Sequence, residues 1–175
     1  ADQGNQNVPY SILGKGNFQT ISLEIEWETI FFFIGLFALT RALKDVGVTG
    51  AVATAISQMQ VSPIFIVLTV LWVSGLLSGI IGAVPITTVF IPIVQSLQGT
   101  IPNSYELWWA LALGASLGGN TSFSGAAANM VAVGLVEKNY KDKVKYGAFL
   151  REGIVVSLIG LTVGTAYLAI RWFML

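Results

Sequence analysis

Polar and apolar residues alternate along this chain in long blocks. Residues 1–28 are polar, rich in Asn, Gln, Gly and Ser, and end in Glu24, Glu26, Trp27 and Glu28. Beyond them no charge occurs from Val46 to Tyr105, from Leu107 to Val136, or from Gly153 to Ile170. About 20 consecutive apolar residues cross the hydrocarbon layer as a helix. The pattern therefore predicts an all-α integral membrane protein, with a polar cytoplasmic segment over 1–28 and a transmembrane repeat over 29–175. Trp27 is read as an interfacial anchor.

Within the repeat, residues 29–45 read as a first membrane helix, with Arg41 and Asp45 spaced to pair at its far end. Residues 48–60 read as a short or interfacial helix. The uncharged element 63–98 is too long for one span. A straight helix of that length would reach about 54 Å, against a hydrocarbon core of ~30 Å. Ser78, Gly79, Gly82 and Pro85 mark where it breaks, and Thr87 and Thr88 supply hydroxyls beside the opened backbone. A helical hairpin with its tip at Gly82–Pro85 follows.

Residues 99–106 read as a turn. The next element, 107–136, is discontinuous, because Gly118-Gly119-Asn120-Thr121-Ser122 makes a poor helix interior. A charge-rich loop occupies 137–147, and 148–173 form the last helix.

Charged residues make up 10% of the chain and hydrophobic ones 54%; net charge is zero. The few basic residues gather in one loop, so nucleic acid is not an expected partner. With no Cys and no His, disulfides, thiol chemistry, the usual zinc sites and Ser-His hydrolysis are all excluded. No phosphate-cradling Gly-x-x-x-x-Gly-Lys-Ser/Thr motif is present, so ATP is not the expected energy source. No enzyme activity and no cofactor are expected, bound Na⁺ aside. Ala1 is not a Met, and 1–28 lack the regions of a signal peptide. The chain is thus expected to be processed, trimmed or part of something longer.

Lys138, Lys141, Lys143, Lys145 and Arg151 place the 137–147 loop in the cytoplasm, together with Lys15. Arg41, Lys44 and Arg171 fall on the other side. Those lysines serve topology most simply, with an anionic-lipid patch as the alternative.

The informative segment is Gly118 to Asn129. Non-helical backbone at membrane depth must line a cavity or be buried in protein, because each unpaired group costs several kcal/mol. A broken helix offers carbonyls at one half-helix end, suited to a cation, and N–H groups at the other, suited to an anion. Gly119, Asn120, Thr121, Ser122, Ser124 and Asn129 are the candidate ligands there. Ser78, Gly82, Thr87 and Thr88 are the candidates on the hairpin tip, with Na⁺ assigned to Asn120, Ser122 and Thr87. This is chemistry for reversible binding. The lone hydroxyls Thr69, Ser74, Ser157 and Thr162 read as helix packing. Trp108-Trp109 and Phe31–Phe33 read as a lipid-facing or interfacial belt.

Leu111 to Leu135 (LALGASLGGNTSFSGAAANMVAVGL) resembles the signature of the ion transporter superfamily. That group holds arsenite permeases, D-type sodium/proton antiporters, the melanosomal P protein, and citrate and dicarboxylate carriers. Gly114, Gly118, Gly119, Asn120, Gly125, Ala126, Asn129 and Val131 carry the match. Glu26-Trp27 with Ile30–Phe37 resembles the opening of the family's second half, and Ser78–Pro92 its hairpin tip. Where cation antiporters of the group carry Asp-Asn before the hairpin proline, this chain has Gly82-Ala83. Any coupling carboxylate would then come from elsewhere.

The resemblance implies the C-terminal inverted-repeat half of a secondary transporter. Its cargo would be an inorganic or carboxylate anion or a metal oxyanion, coupled to Na⁺ or H⁺. Its partners would be the bilayer and an N-terminal half, in the same polypeptide, in a separate chain, or from a second copy in a homodimer. The rivals are a non-transporting structural or assembly subunit and a sodium/proton antiporter half.

Overall fold

The computed structural model describes residues 27–58, 61–99, 101–140 and 143–174. The polar segment up to residue 26, with Lys15, Glu24 and Glu26, lies outside the described residues. So do 59–60 at the end of the short helix, and Lys141. The described residues are helical and contain no strand, the architecture of an all-α membrane protein. In order they are α1 (Trp27–Asp45), α2 (Val48–Gln58), α3 (Pro63–Ile81), α4 (Ala83–Leu97) and α5 (Glu106–Gly118). A single 3-10 turn (Gly119–Thr121), α6 (Ala127–Tyr140) and α7 (Tyr146–Met174) complete the chain. Of these, α3 and α7 are long and apolar enough to cross a membrane.

Residues to Gly35 and residues from Leu36 form separate compact units. In the first, Trp27 stacks towards Phe31 (6.3 Å between ring centroids) and Phe32 meets Phe33 edge-on. In the second, Arg41 Nε lies 3.0 Å from Asp45 Oδ2, an exposed ion pair that contributes little to stability.

The direction of the chain follows from which residues touch. Gly114 abuts Ser74 and Leu71, Ser78 bonds to Ala115, and Gly79 abuts Gly118 and Thr121. Residue numbers rise together, so α3 and α5 run parallel. Helix α4 must therefore carry the chain back, and 63–97 is a hairpin. Its turn is one residue, Gly82, at φ 109° and ψ 153°. This is a region that side chains avoid and glycine enters freely. Pro85 falls in the first turn of α4, where its missing N–H would have had no helical partner.

Helix α7 runs the other way. Gly153 meets Thr121, Gly160 meets Leu117, and Arg171 meets Glu106. Its buried face is Gly153, Ser157, Leu161, Gly164 and Leu168, a helical 3–4 spacing. Leu71, Leu97, Leu107, Leu161 and Leu168 close the core, each fully buried. In lipid, apolar burial alone does not drive helices together, so close approach of small residues must. Gly75 and Gly79 on α3 face Gly114 and Gly118 on α5 for that purpose.

Candidate functional site

Between α5 and α6 the chain leaves the α-helix from Gly119 to Ala126. Gly119–Thr121 tighten into the 3-10 turn, and Ser122 then turns extended (φ −130°, ψ 167°). The freed backbone groups find partners close by. Asn129, in the first turn of α6, donates its amide hydrogens to Gly119 O (3.0 Å) and Ser122 O (2.9 Å). Gly125 N donates to Ser122 O at 3.3 Å.

The hairpin tip and this break meet. Ala83 N donates to Gly125 O at 3.1 Å, and Ser122 Oγ donates to Gly79 O at 2.7 Å. Gly82 faces the Ser124 carbonyl. Ser78, fully buried, donates to Ala115 O at 2.5 Å. From the third side, Thr121 Oγ1 donates to Ser157 Oγ at 2.9 Å, and Gly153 packs on the carbonyls of Asn120 and Thr121. Phe123 is seated edge-on against Tyr146 (5.3 Å) and Phe149 (4.6 Å) at the start of α7.

Two helices thus end at this point (α3, α5) and two begin (α4, α6). The first pair turns its negative dipole ends inward and the second its positive ends. Every recorded side-chain hydrogen bond at the break joins neutral groups. By helical rise, Gly153 stands about 10 Å from the start of α7, a helix about 43 Å long. The break therefore packs against the half of α7 that follows the basic loop, between Phe149 and Ser157.

The candidate residues divide by what they do here. Ser78, Ser122, Thr121 and Asn129 hold the break together, and Ser124 Oγ lies 3.3 Å from Ser122 Oγ. Thr87 and Thr88 bond back to Ala83 O and Val84 O of their own helix, each at 2.8 Å. No recorded hydrogen bond joins Thr87 to Asn120 or Ser122. Asn120 is half-buried, and its carboxamide makes no hydrogen bond recorded among the described residues. Ser122→Ala removes a bond between two elements and is expected to cost about 1 kcal/mol. Thr88→Ala removes one within a single helix and should stay within about 0.5 kcal/mol. Paired melting curves check both.

One charged group in the bundle was not singled out by the sequence. Glu106, the first residue of α5, is 2% exposed, and its Oε1 accepts from Arg171 Nε at 2.7 Å. The other carboxylate oxygen, Oε2, is buried and has no partner. Arg171 also lies over the Trp109 ring, 5.1 Å from its centroid. The pair ties the start of α5 to the end of α7, about 18 Å along α5 from the break. The available signal was the position of each charge at the edge of an uncharged block.

Removing the arginine leaves a buried carboxylate alone, which typically costs about 3–5 kcal/mol. Arg171→Leu is expected to lower the melting temperature sharply. Adding Glu106→Gln to it should restore most of the loss. A double variant no more stable than Arg171→Leu would refute this role for the pair.

Residues 10–114 match the family model described as citrate transporter, which is more than half of the chain. The chain belongs to the citrate transporter family. Its relatives extend across the break as well. An uncharacterized transporter of Mycobacterium bovis is 36% identical over 158 residues, covering 86% of this chain. The 46 kDa membrane protein of Mycobacterium leprae is 35% identical over 155 residues, again 86% of the chain. The human P protein is 33% identical over 164 residues, 88% of the chain. This membership agrees with the resemblance to the ion transporter superfamily. The chain spans 36% of the length of the mycobacterial relatives and 19% of the P protein. No solved structure matches it. Transport across a membrane is what the family's description and the Mycobacterium bovis relative's name state.

Proposed function

We propose that this chain forms the C-terminal half of a multi-pass secondary active transporter, with the charge-rich segment 137–147, the end of α6 and start of α7 included, cytoplasmic. Its substrate is a carboxylate anion, citrate first among them, carried together with Na⁺. The observation that carries the reading is the meeting of four helix ends at the break, whose own segment holds Asn120 with a carboxamide that no recorded hydrogen bond engages. Two N-termini favour an anion, two C-termini favour a cation, and the neutral hydroxyls and amides between them suit both. The family's description as citrate transporter supports a carboxylate over an inorganic anion or a metal oxyanion.

Sodium is favoured over a proton because the recorded hydrogen bonds of the break include no carboxylate. The buried acid Glu106 sits at the far end of α5, tied to Arg171. The remaining bonds to the anion would come from an N-terminal half, in keeping with the greater length of the relatives.

Uptake of labelled citrate by vesicles holding the full-length protein tests the reading. An inward Na⁺ gradient is expected to drive accumulation above the external concentration, and a proton gradient alone is not. Accumulation of no carboxylate under either gradient would refute it.

A further inference from the structure

Asn129 stood among the candidate ligands, yet its amide nitrogen is already committed. Both of its partners, Gly119 O and Ser122 O, are acceptors, so the nitrogen must be the atom that faces them. Two main-chain carbonyls within 3.0 Å of one nitrogen converge on a single point. Converging carbonyl oxygens are also how proteins begin a shell for a hard cation. These two lie just past the C-terminal end of α5, where the helix dipole favours positive charge. With amide hydrogens on them, the same lone pairs are closed to an ion.

We infer that the Asn129 amide competes with Na⁺ for the carbonyls of Gly119 and Ser122, acting as a closing group and not as a ligand. The inference rests on the cation reading above and adds to it a residue that must let go. Asn129 is suited to release. It lies on the first turn of α6, is only half-buried, and its recorded side-chain bonds reach only the loop before its own helix. Binding at the carbonyls thus costs two hydrogen bonds. That lowers apparent affinity by the stability of the closed form, since a binding-competent state that is only partly populated weakens binding in proportion. Ser122 O keeps the Gly125 N–H when the amide leaves, so the loop retains one tie.

The test is thermal melting of the full-length protein in detergent, with sodium chloride exchanged for choline chloride at constant ionic strength. Asn129→Ala is expected to melt lower than the unaltered protein in choline, because the loop has lost two bonds. Its half-maximal Na⁺ concentration should fall by about fivefold or more, because no amide has to be displaced. If that concentration rises or stays unchanged while the unaltered protein still responds to Na⁺, the competition is wrong. A rise would make Asn129 an ordinary ligand. Should the alanine variant be too unstable, Asn129→Ser gives the same comparison, since one hydroxyl cannot close both carbonyls. A protein whose melting ignores Na⁺ altogether would overturn both this inference and the sodium part of the proposed function.

Discussion

Gly118→Ala is expected to leave little folded protein. A Cβ at this position would overlap the Gly75 carbonyl on α3, so the obstacle is backbone and not a side chain that can swing away. The same overlap cannot be relieved by sliding α3. Gly114 is pressed on the Leu71 carbonyl one turn below, and Ser78 is bonded to Ala115 one turn above. Overpacking a well-filled core costs about 1–3 kcal/mol, and more where backbone must shift. A domain stable by only about 5–15 kcal/mol loses much of its margin to such a change. The control is Gly134→Ala on α6, where an added Cβ meets nothing. That variant should behave like the unaltered protein in size-exclusion profile and melting temperature. Equal behaviour of the two variants would mean that α3 and α5 do not approach this closely.

How much of this could be read from residues alone depends on range. Gly82, three residues before Pro85, and Gly118-Gly119, directly before Asn120, announced the two breaks because such clusters are poor interiors for a long helix. The helical character of the rest followed from block hydropathy, and the Arg41–Asp45 pair from a spacing of four. What stayed illegible is set by distant partners. Nothing local says that Ser157, which reads as a packing hydroxyl, receives Thr121 from 36 positions away, or that Asn129 turns its nitrogen back on Gly119. Glu106 was hidden for a similar reason. A charge beside a turn reads as solvated until Arg171, 65 positions on, is placed against it. The parallel course of α3 and α5 likewise appears only when the glycines of both helices are seen face to face. Thr87 and Thr88 show the reverse: their spacing beside the hairpin tip suggested ligands, while in the structure each satisfies its own helix.

Asn120 carries the central claim, because it is the amide at the break that no recorded hydrogen bond holds. The decisive measurement is gradient-driven citrate uptake by Asn120→Ala in vesicles, with the melting temperature taken on the same preparation. Removing one polar group that binds a ligand in a buried site costs about 1–3 kcal/mol, or roughly fivefold to more than a hundredfold in binding. Stability should barely change, since the side chain makes no recorded hydrogen bond to lose. Uptake is expected to fall by about tenfold or more at an unchanged melting temperature. Uptake equal to that of the unaltered protein would contradict the proposed role, and the break between α5 and α6 would then be a structural joint and not the place where substrate and ion are bound.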